Sequence, residues 1–382
     1  MIGVLLEKRE KYFPKCLYHS FKTPILIHNA KDQYYNDNIL DLYNNVCHIG
    51  HSNKKILETV TKEYSKVNIN SRYINDNIVT YAERLSKYFP KGKSYKVLFV
   101  NSGSEANDLA LRVCLLKNPN SKIASLKRSY HGTTHLCDKV SHIYSTGKIK
   151  EQYSNDILFI EPNNLNDLDN LDTKTDNIGS IIMETIQGVG GNNELSKEFI
   201  QGIFNIAEKK NIITICDEVQ TGFGRTGHTF WAFEHFNVIP DIITCGKPIA
   251  NGYPMGAVII REDIADLLGD FYFNTFGGNS VACAVANTVL SELETNNYIE
   301  NSKVLGDYLK EQLSSIKEIS NITGRGLYIG FTVNNSKELV ENLKENNIIV
   351  GIGYNNIVRI KPPIIVNKEN IDHFIYVLKT LI

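Results

Sequence analysis

The chain has 382 residues, is 42% hydrophobic and 22% charged, and carries a formal net charge of −1. These values suit a globular protein of two or three domains with a large core, and they provide no electrostatic footprint for nucleic acid or an acidic membrane surface. No stretch approaches the roughly 18 apolar residues of a membrane span, and Met1–Lys15 lacks the apolar core of a signal peptide, so small-molecule partners and a cytoplasmic location are expected.

In chain order, the first 50 or so residues, with Gln33–Tyr35 and Asn38–Leu42, predict a short antiparallel element. The apolar run Tyr95–Val100 ends at Asn101-Ser102-Gly103, after which Ala106, Leu109, Ala110, Val113 and Cys114 recur at helical spacing. Further strands are predicted at Lys122–Leu126, Ile157–Ile160, Ile178–Met183, Ile212–Cys216, Ile242–Cys245 and Ala257–Ile260, with an amphipathic helix near Phe199–Lys209. Strands alternating with helices imply a parallel sheet. The tail, with Arg325–Val333, a helix near Leu339–Glu345 and Ile348–Val350, reads as an α+β unit. The expected fold is therefore α/β. A large domain (51–289) holds a mostly parallel seven-stranded sheet, and a small α+β domain is built from both chain ends (1–50 and 290–382).

Cys16, Cys47, Cys114, Cys137, Cys216, Cys245 and Cys283 are scattered, odd in number and free of C-x-x-C spacing. They read as reduced thiols, several of them in apolar runs, and no metal site is expected.

Two residues carry the chemistry. Asp217 follows the run Asn211–Cys216, and Lys247 follows Asp241–Gly246 thirty positions later. An open α/β sheet collects its ligands at the C-terminal ends of its strands. A lysine and an aspartate there can hold pyridoxal phosphate, the lysine as a Schiff base with its aldehyde and the aspartate on its pyridine nitrogen. The turn Ser102–Asn107 supplies a helix N-terminus after Gly103, with the Ser104 hydroxyl, as a seat for a phosphate; a Ser-x-x-Asn turn also caps helices of every kind. Tyr130-His131-Gly132 follows another strand, where an aromatic ring can cover a cofactor and the glycine admits a close backbone; a lone pair of this kind is usually packing. Glu184 and Gln187 end a further strand, as an acid and an amide behind the site. Gln220 lies three residues past Asp217, within reach of the cofactor's phenolic oxygen. The glycines of Asp217–Arg225 argue for a tight loop, which Arg225 would hold.

The segments Asn101–Asn107, Tyr130–Gly132, Asp217–Arg225, Gly246–Ile249 and Asn274–Asn279 resemble the class-III aminotransferases, fold type I pyridoxal-phosphate enzymes, in the right order over nearly the whole chain. The resemblance implies Lys247 as the Schiff-base lysine and proton shuttle, Asp217 on the ring nitrogen, Gly103 and Ser104 on the phosphate, and Tyr130 against the ring. It also implies that Thr275 reaches the phosphate in a neighbouring subunit, making the active unit a homodimer with shared sites; pairing into a tetramer stays open.

Asp41–His51, Asn68–Val79 and Ile360–Pro363 look most like the branch of phospho-lyases acting on ethanolamine phosphate or 5-phosphohydroxylysine. An ω-aminotransferase of the alanine–glyoxylate type is the alternative, and a non-catalytic cofactor-binding protein a third. Val189 stands where many two-substrate members carry a glutamate that pairs with a C-terminal arginine, here Arg359, and some aminotransferases share that apolar residue. Thr133 replaces the arginine usual in acetylornithine and ornithine enzymes. For a substrate phosphate, Arg72 is the first expectation, with Arg359 and Lys361 as alternates, since guanidinium suits a phosphate dianion; a solvated surface role for Arg72 weighs equally.

Overall fold

The computed structural model describes residues 2–17, 19–143, 155–173 and 177–382. Seven strands form the central sheet: β1 (Tyr95–Val100), β2 (Lys122–Leu126), β3 (Ile157–Ile160), β4 (Ile178–Met183), β5 (Ile213–Asp217), β6 (Ile242–Cys245) and β7 (Gly256–Arg261). Their order is β1-β7-β6-β5-β4-β2-β3. The pairs from β6 through β3 are parallel, and β7 runs antiparallel to both of its neighbours, β6 and β1. The expected mostly parallel seven-stranded sheet is therefore present, with boundaries displaced by about one residue at β5 and β7.

Strand periodicity explains why both faces of this sheet are covered. Ile182, Ile213, Ile215, Ile242, Val258 and Ile260 join one buried cluster with Ala106, Leu109, Ala110 and Val113 of helix α1 (Gly103–Lys117). Their neighbours Ile181, Met183, Cys216, Ile243, Ala257 and Ile259 join a second, with Phe199, Ile200 and Ile203 of α2 (Lys197–Lys210) and Val285, Ala286 and Val289 of α3 (Ser280–Thr295). Successive residues of a strand point to opposite faces, so runs of isoleucine and valine demand helices on both sides.

The two chain ends meet. Ile39–Asp41 pairs in parallel with Ile348–Ile349, and the Lys361 and Ile364 amides donate to the carbonyls of Leu42 and His48. The run Arg325–Val333 does not form one strand. It breaks at Gly326, whose φ of +52° favours glycine, into the antiparallel strands Ile319–Arg325 and Tyr328–Val333. Val358–Ile360 adds to the second of these, with Arg359 opposite Gly330.

Candidate active site

The loops after β1, β2, β4, β5 and β6 converge on a cavity of about 300 Å³. Asp217 is the last residue of β5, and Lys247 comes two residues after the end of β6. Both line the cavity. Lys247 opens a 3₁₀ turn, Lys247–Ala250, at φ +34°, a left-handed conformation rare for a lysine. Strain of that kind persists only where the surroundings over-determine it, and it concentrates at functional positions.

Asp217 is held from three directions. Its Oδ2 accepts from Asn107 Nδ2 at 2.7 Å and lies 2.8 Å from His131 Nδ1, and its Oδ1 accepts from the Val219 amide at 3.0 Å. Asn107 also donates to the His131 carbonyl at 2.8 Å. The carboxylate is thereby fixed in orientation as well as position. Glu184 accepts from the Tyr130 amide at 3.1 Å and the Gly188 amide at 2.8 Å. Burial, with Asp217 nearby, raises its carboxyl above the usual range against the pull of His131. Burial likewise lowers the Lys247 amine, toward its neutral and nucleophilic form, although Asp217 and Glu184 oppose the shift.

α1 also begins in the wall of this cavity. Ser102 caps it by accepting from the Glu105 amide at 3.1 Å, leaving Gly103 and Ser104 in the cavity wall. A Cβ on Gly103 would lie 2.6 Å from Val219, and one on Gly132, at φ +131°, would lie 2.4 Å from Ser104 Oγ. The glycines therefore let three loops close around the helix start. A helix N-terminus, a buried carboxylate and Lys247 in the wall of one cavity fit a group with a phosphate, a protonated ring nitrogen and an aldehyde. The residues present fit pyridoxal phosphate.

Gly103, Ser104, Tyr130, His131, Glu184, Asp217, Gln220 and Lys247 thus share one cavity. His131 packs against the Asp217 carboxylate. Gln187 turns away and donates to the Lys127 carbonyl. Gln220 Oε1 accepts from Asn45 at 3.2 Å and Lys361 at 3.0 Å. Thr275 is exposed and outside the cavity, on a loop pinned by Asn274 to Glu105 and Asn101. Arg72 is also exposed, its guanidinium 4.8 Å from the Phe273 ring. Arg225 is buried between segments from both chain ends, bonding His48 Nδ1 at 2.8 Å and the Pro362 carbonyl. Every cysteine is free, five of them are buried, and no metal-binding cluster occurs among the described residues.

Arg359 and Lys361 are each 4% exposed. Arg359 donates to the Gly188 carbonyl at 2.9 Å, Tyr43 Oη at 2.7 Å and the Ile352 carbonyl at 3.1 Å. Among the described residues neither cation forms an ion pair with a carboxylate. Sequence reasoning missed Asn107, Tyr43 and Asn45. A lone asparagine on the apolar face of α1 was the available signal for the first. The other two gave none, because the chain ends had first to be brought together.

The aminotransferase class-III family model matches residues 21–382. An alanine–glyoxylate aminotransferase 2-like protein of Drosophila melanogaster is 32% identical over 402 residues, covering 92% of this chain and 81% of that protein. An ethanolamine-phosphate phospho-lyase homolog of Caenorhabditis elegans is 30% identical over 434 residues, covering 96% and 90%. A phospholyase from Arthrobacter, solved in complex with phosphoethanolamine, superposes with a TM-score of 0.91 at 26% identity, covering 98% of each chain.

Proposed function

This chain belongs to the class-III aminotransferase family, and on that premise we propose that it is a pyridoxal-phosphate phospho-lyase that eliminates phosphate and ammonia from a small phosphorylated amine such as ethanolamine phosphate or phosphohydroxylysine. The observation that carries this reading is Arg359. It is buried, and its partners are two carbonyls and a phenol, with Val189 where an acid would mask it. An enzyme that alternates between two substrates needs to hide that cation for one of them; an enzyme with a single anionic substrate does not. The Arthrobacter phospholyase and the C. elegans homolog support the same reading.

When bound, pyridoxal phosphate supplies an electron-withdrawing ring that stabilises negative charge on the carbon bearing the substrate amine. Gly103 and Ser104 would hold its phosphate, Tyr130 would flank its ring, and Gln220 would meet its phenolic oxygen. Asp217, fixed by Asn107 and His131, would keep a proton on the ring nitrogen. The Lys247 amine would take the proton from the amine-bearing carbon. Loss of phosphate from the adjacent carbon then competes with return of the proton, and phosphate is a good leaving group. With water, ethanolamine phosphate would yield acetaldehyde, ammonia and inorganic phosphate.

We place Thr275, exposed on its own subunit, at the partner's cofactor phosphate in a homodimer, and Arg72 at the rim of that shared site. Cytoplasmic location belongs to the same proposal, supported by the unbridged cysteines; no helix among the described residues is long and apolar enough to cross a membrane. The test is to incubate the cofactor-loaded enzyme with ethanolamine phosphate and no keto acid. Release of phosphate and acetaldehyde is expected. Absence of both, with alanine formed from an amine plus pyruvate, would instead establish the ω-aminotransferase alternative that the Drosophila relative suggests.

A further inference from the structure

Gln220 stands in the wall of the cavity, on the loop after β5, and the two chain ends meet on its side chain. Its Oε1 accepts from Asn45 Nδ2 at 3.2 Å and from Lys361 Nζ at 3.0 Å. An amide oxygen has two lone pairs, and here both are engaged. Neither donor is free to drift. Asn45 lies in a turn that Asp41 Oδ1 closes by accepting from the Tyr43 and Asn44 amides at 2.9 and 2.8 Å. Lys361 precedes Pro362, which confines it to extended backbone, and its own amide donates to the Leu42 carbonyl at 2.7 Å. All three side chains are buried. Gln220 Nε2, by contrast, has no hydrogen-bond partner among the described residues. Gly188 leaves it room, since a Cβ there would lie 2.4 Å from that nitrogen.

We propose that Asn45 and Lys361 are positioning residues: they hold the Gln220 amide by its oxygen, so that its nitrogen is the end presented to the phenolic oxygen of pyridoxal phosphate. Neither of them touches the cofactor. The inference rests on the pyridoxal-phosphate reading of the cavity and not on the choice between phospho-lyase and aminotransferase. A rotated amide would set the Nε2 hydrogens against those of Asn45 Nδ2 and Lys361 Nζ, and would turn an acceptor toward an oxygen that carries negative charge. Held as it is, the amide can only donate there. A donor that stabilises the phenolate weakens its grip on the proton of the neighbouring nitrogen, the one Lys247 supplies. The lysine-bound form then gives up that proton at a lower pH.

The measurement is a pH titration of the visible absorbance of the cofactor-loaded enzyme, without substrate. Wild type is compared with Lys361→Met, Asn45→Ala, Gln220→Ala and the first two each combined with Gln220→Ala. Every single variant should raise the midpoint by roughly one pH unit, the scale of one hydrogen bond to a charged group. Asn45→Ala alters no charge, so its shift cannot be the loss of an amine's field. Neither combined variant should move further than Gln220→Ala alone, because both residues act through that amide. If one variant fails to fold, the other completes the same cycle. Midpoints that stay at the wild-type value, or shifts that add to that of Gln220→Ala, overturn the inference. A wild type with no lysine-bound band rejects the cofactor and this inference with it. A band that moves as expected in an enzyme releasing no phosphate from ethanolamine phosphate rejects only the phospho-lyase reading.

Discussion

Asp217 shows how far a side chain's role depends on what touches it. With Asn107 and His131 on one oxygen and the Val219 amide on the other, its carboxylate cannot rotate away from the cavity. Asp217→Ala should therefore slow turnover by roughly 10²-fold or more with cofactor still bound, since stabilisation of developing charge is a large catalytic term; turnover within a few-fold of wild type would reject its role. Lys247→Ala should retain phosphate-anchored cofactor yet lose the absorbance of the lysine-bound form and essentially all activity. Residual activity near the wild-type level would be incompatible with the assignment. The Asp41–His51 contact of 2.8 Å makes a prediction about pH. Burial works against the charged imidazole, but the bond to Asp41, with Cys47 nearby, raises His51 to about 9. The stabilisation is complete below the unfolded value near 6.5 and disappears as pH rises through about 9. Asp41→Asn should accordingly lower stability by on the order of 2 kcal/mol near neutral pH and by much less in strong alkali. Urea midpoints at the two pH values would show it, and a constant gap would refute it.

At the level of elements, the site depends on strand ends meeting a helix start. Ser102 caps α1 through the Glu105 amide, so Ser102→Ala should cost about 1 kcal/mol, read from thermal or urea unfolding. Gly132 bears more directly on function. A methyl group there would collide with Ser104 at a backbone φ that disfavours alanine. Gly132→Ala should weaken pyridoxal-phosphate affinity by roughly tenfold or more in an absorbance titration, with Lys247 still able to react. Unchanged affinity would mean that Ser104 does not hold the phosphate.

At the level of the whole molecule, large apolar side chains remain exposed on the chain. Ile74 is 98% exposed, Phe271 76% and Phe276 70%, close in sequence to Arg72 and Thr275 respectively. Scattered apolar residues need no explanation, but side chains this bare beside two proposed shared-site residues are what a partner subunit would cover. Ile74→Asp together with Phe276→Asp should shift the sedimenting species toward monomer and remove activity in step. A fully active monomer would rule out shared sites.

Much of this was legible in the residues themselves. The isoleucine-rich runs of β4, β5 and β6 are too apolar for strands with one wet face, so the doubly covered sheet follows from composition at period two. Asp217 and Lys247 stand out because a charged residue closing such a run has only the ligand-binding edge of the sheet to occupy. The positions of Thr275 and Arg72 outside the cavity, the alliance of Arg359 with Lys361 and Tyr43, and the clasp of Asn107 on Asp217 could not be read this way. Tyr43 and Arg359 are 316 residues apart, and their meeting depends on Ile39–Asp41 pairing with Ile348–Ile349. Local propensity and spacing act over a turn of helix or a pair of strands. Which distant cations share one ring, and so how strongly the pocket calls for an anion, is set by long-range packing.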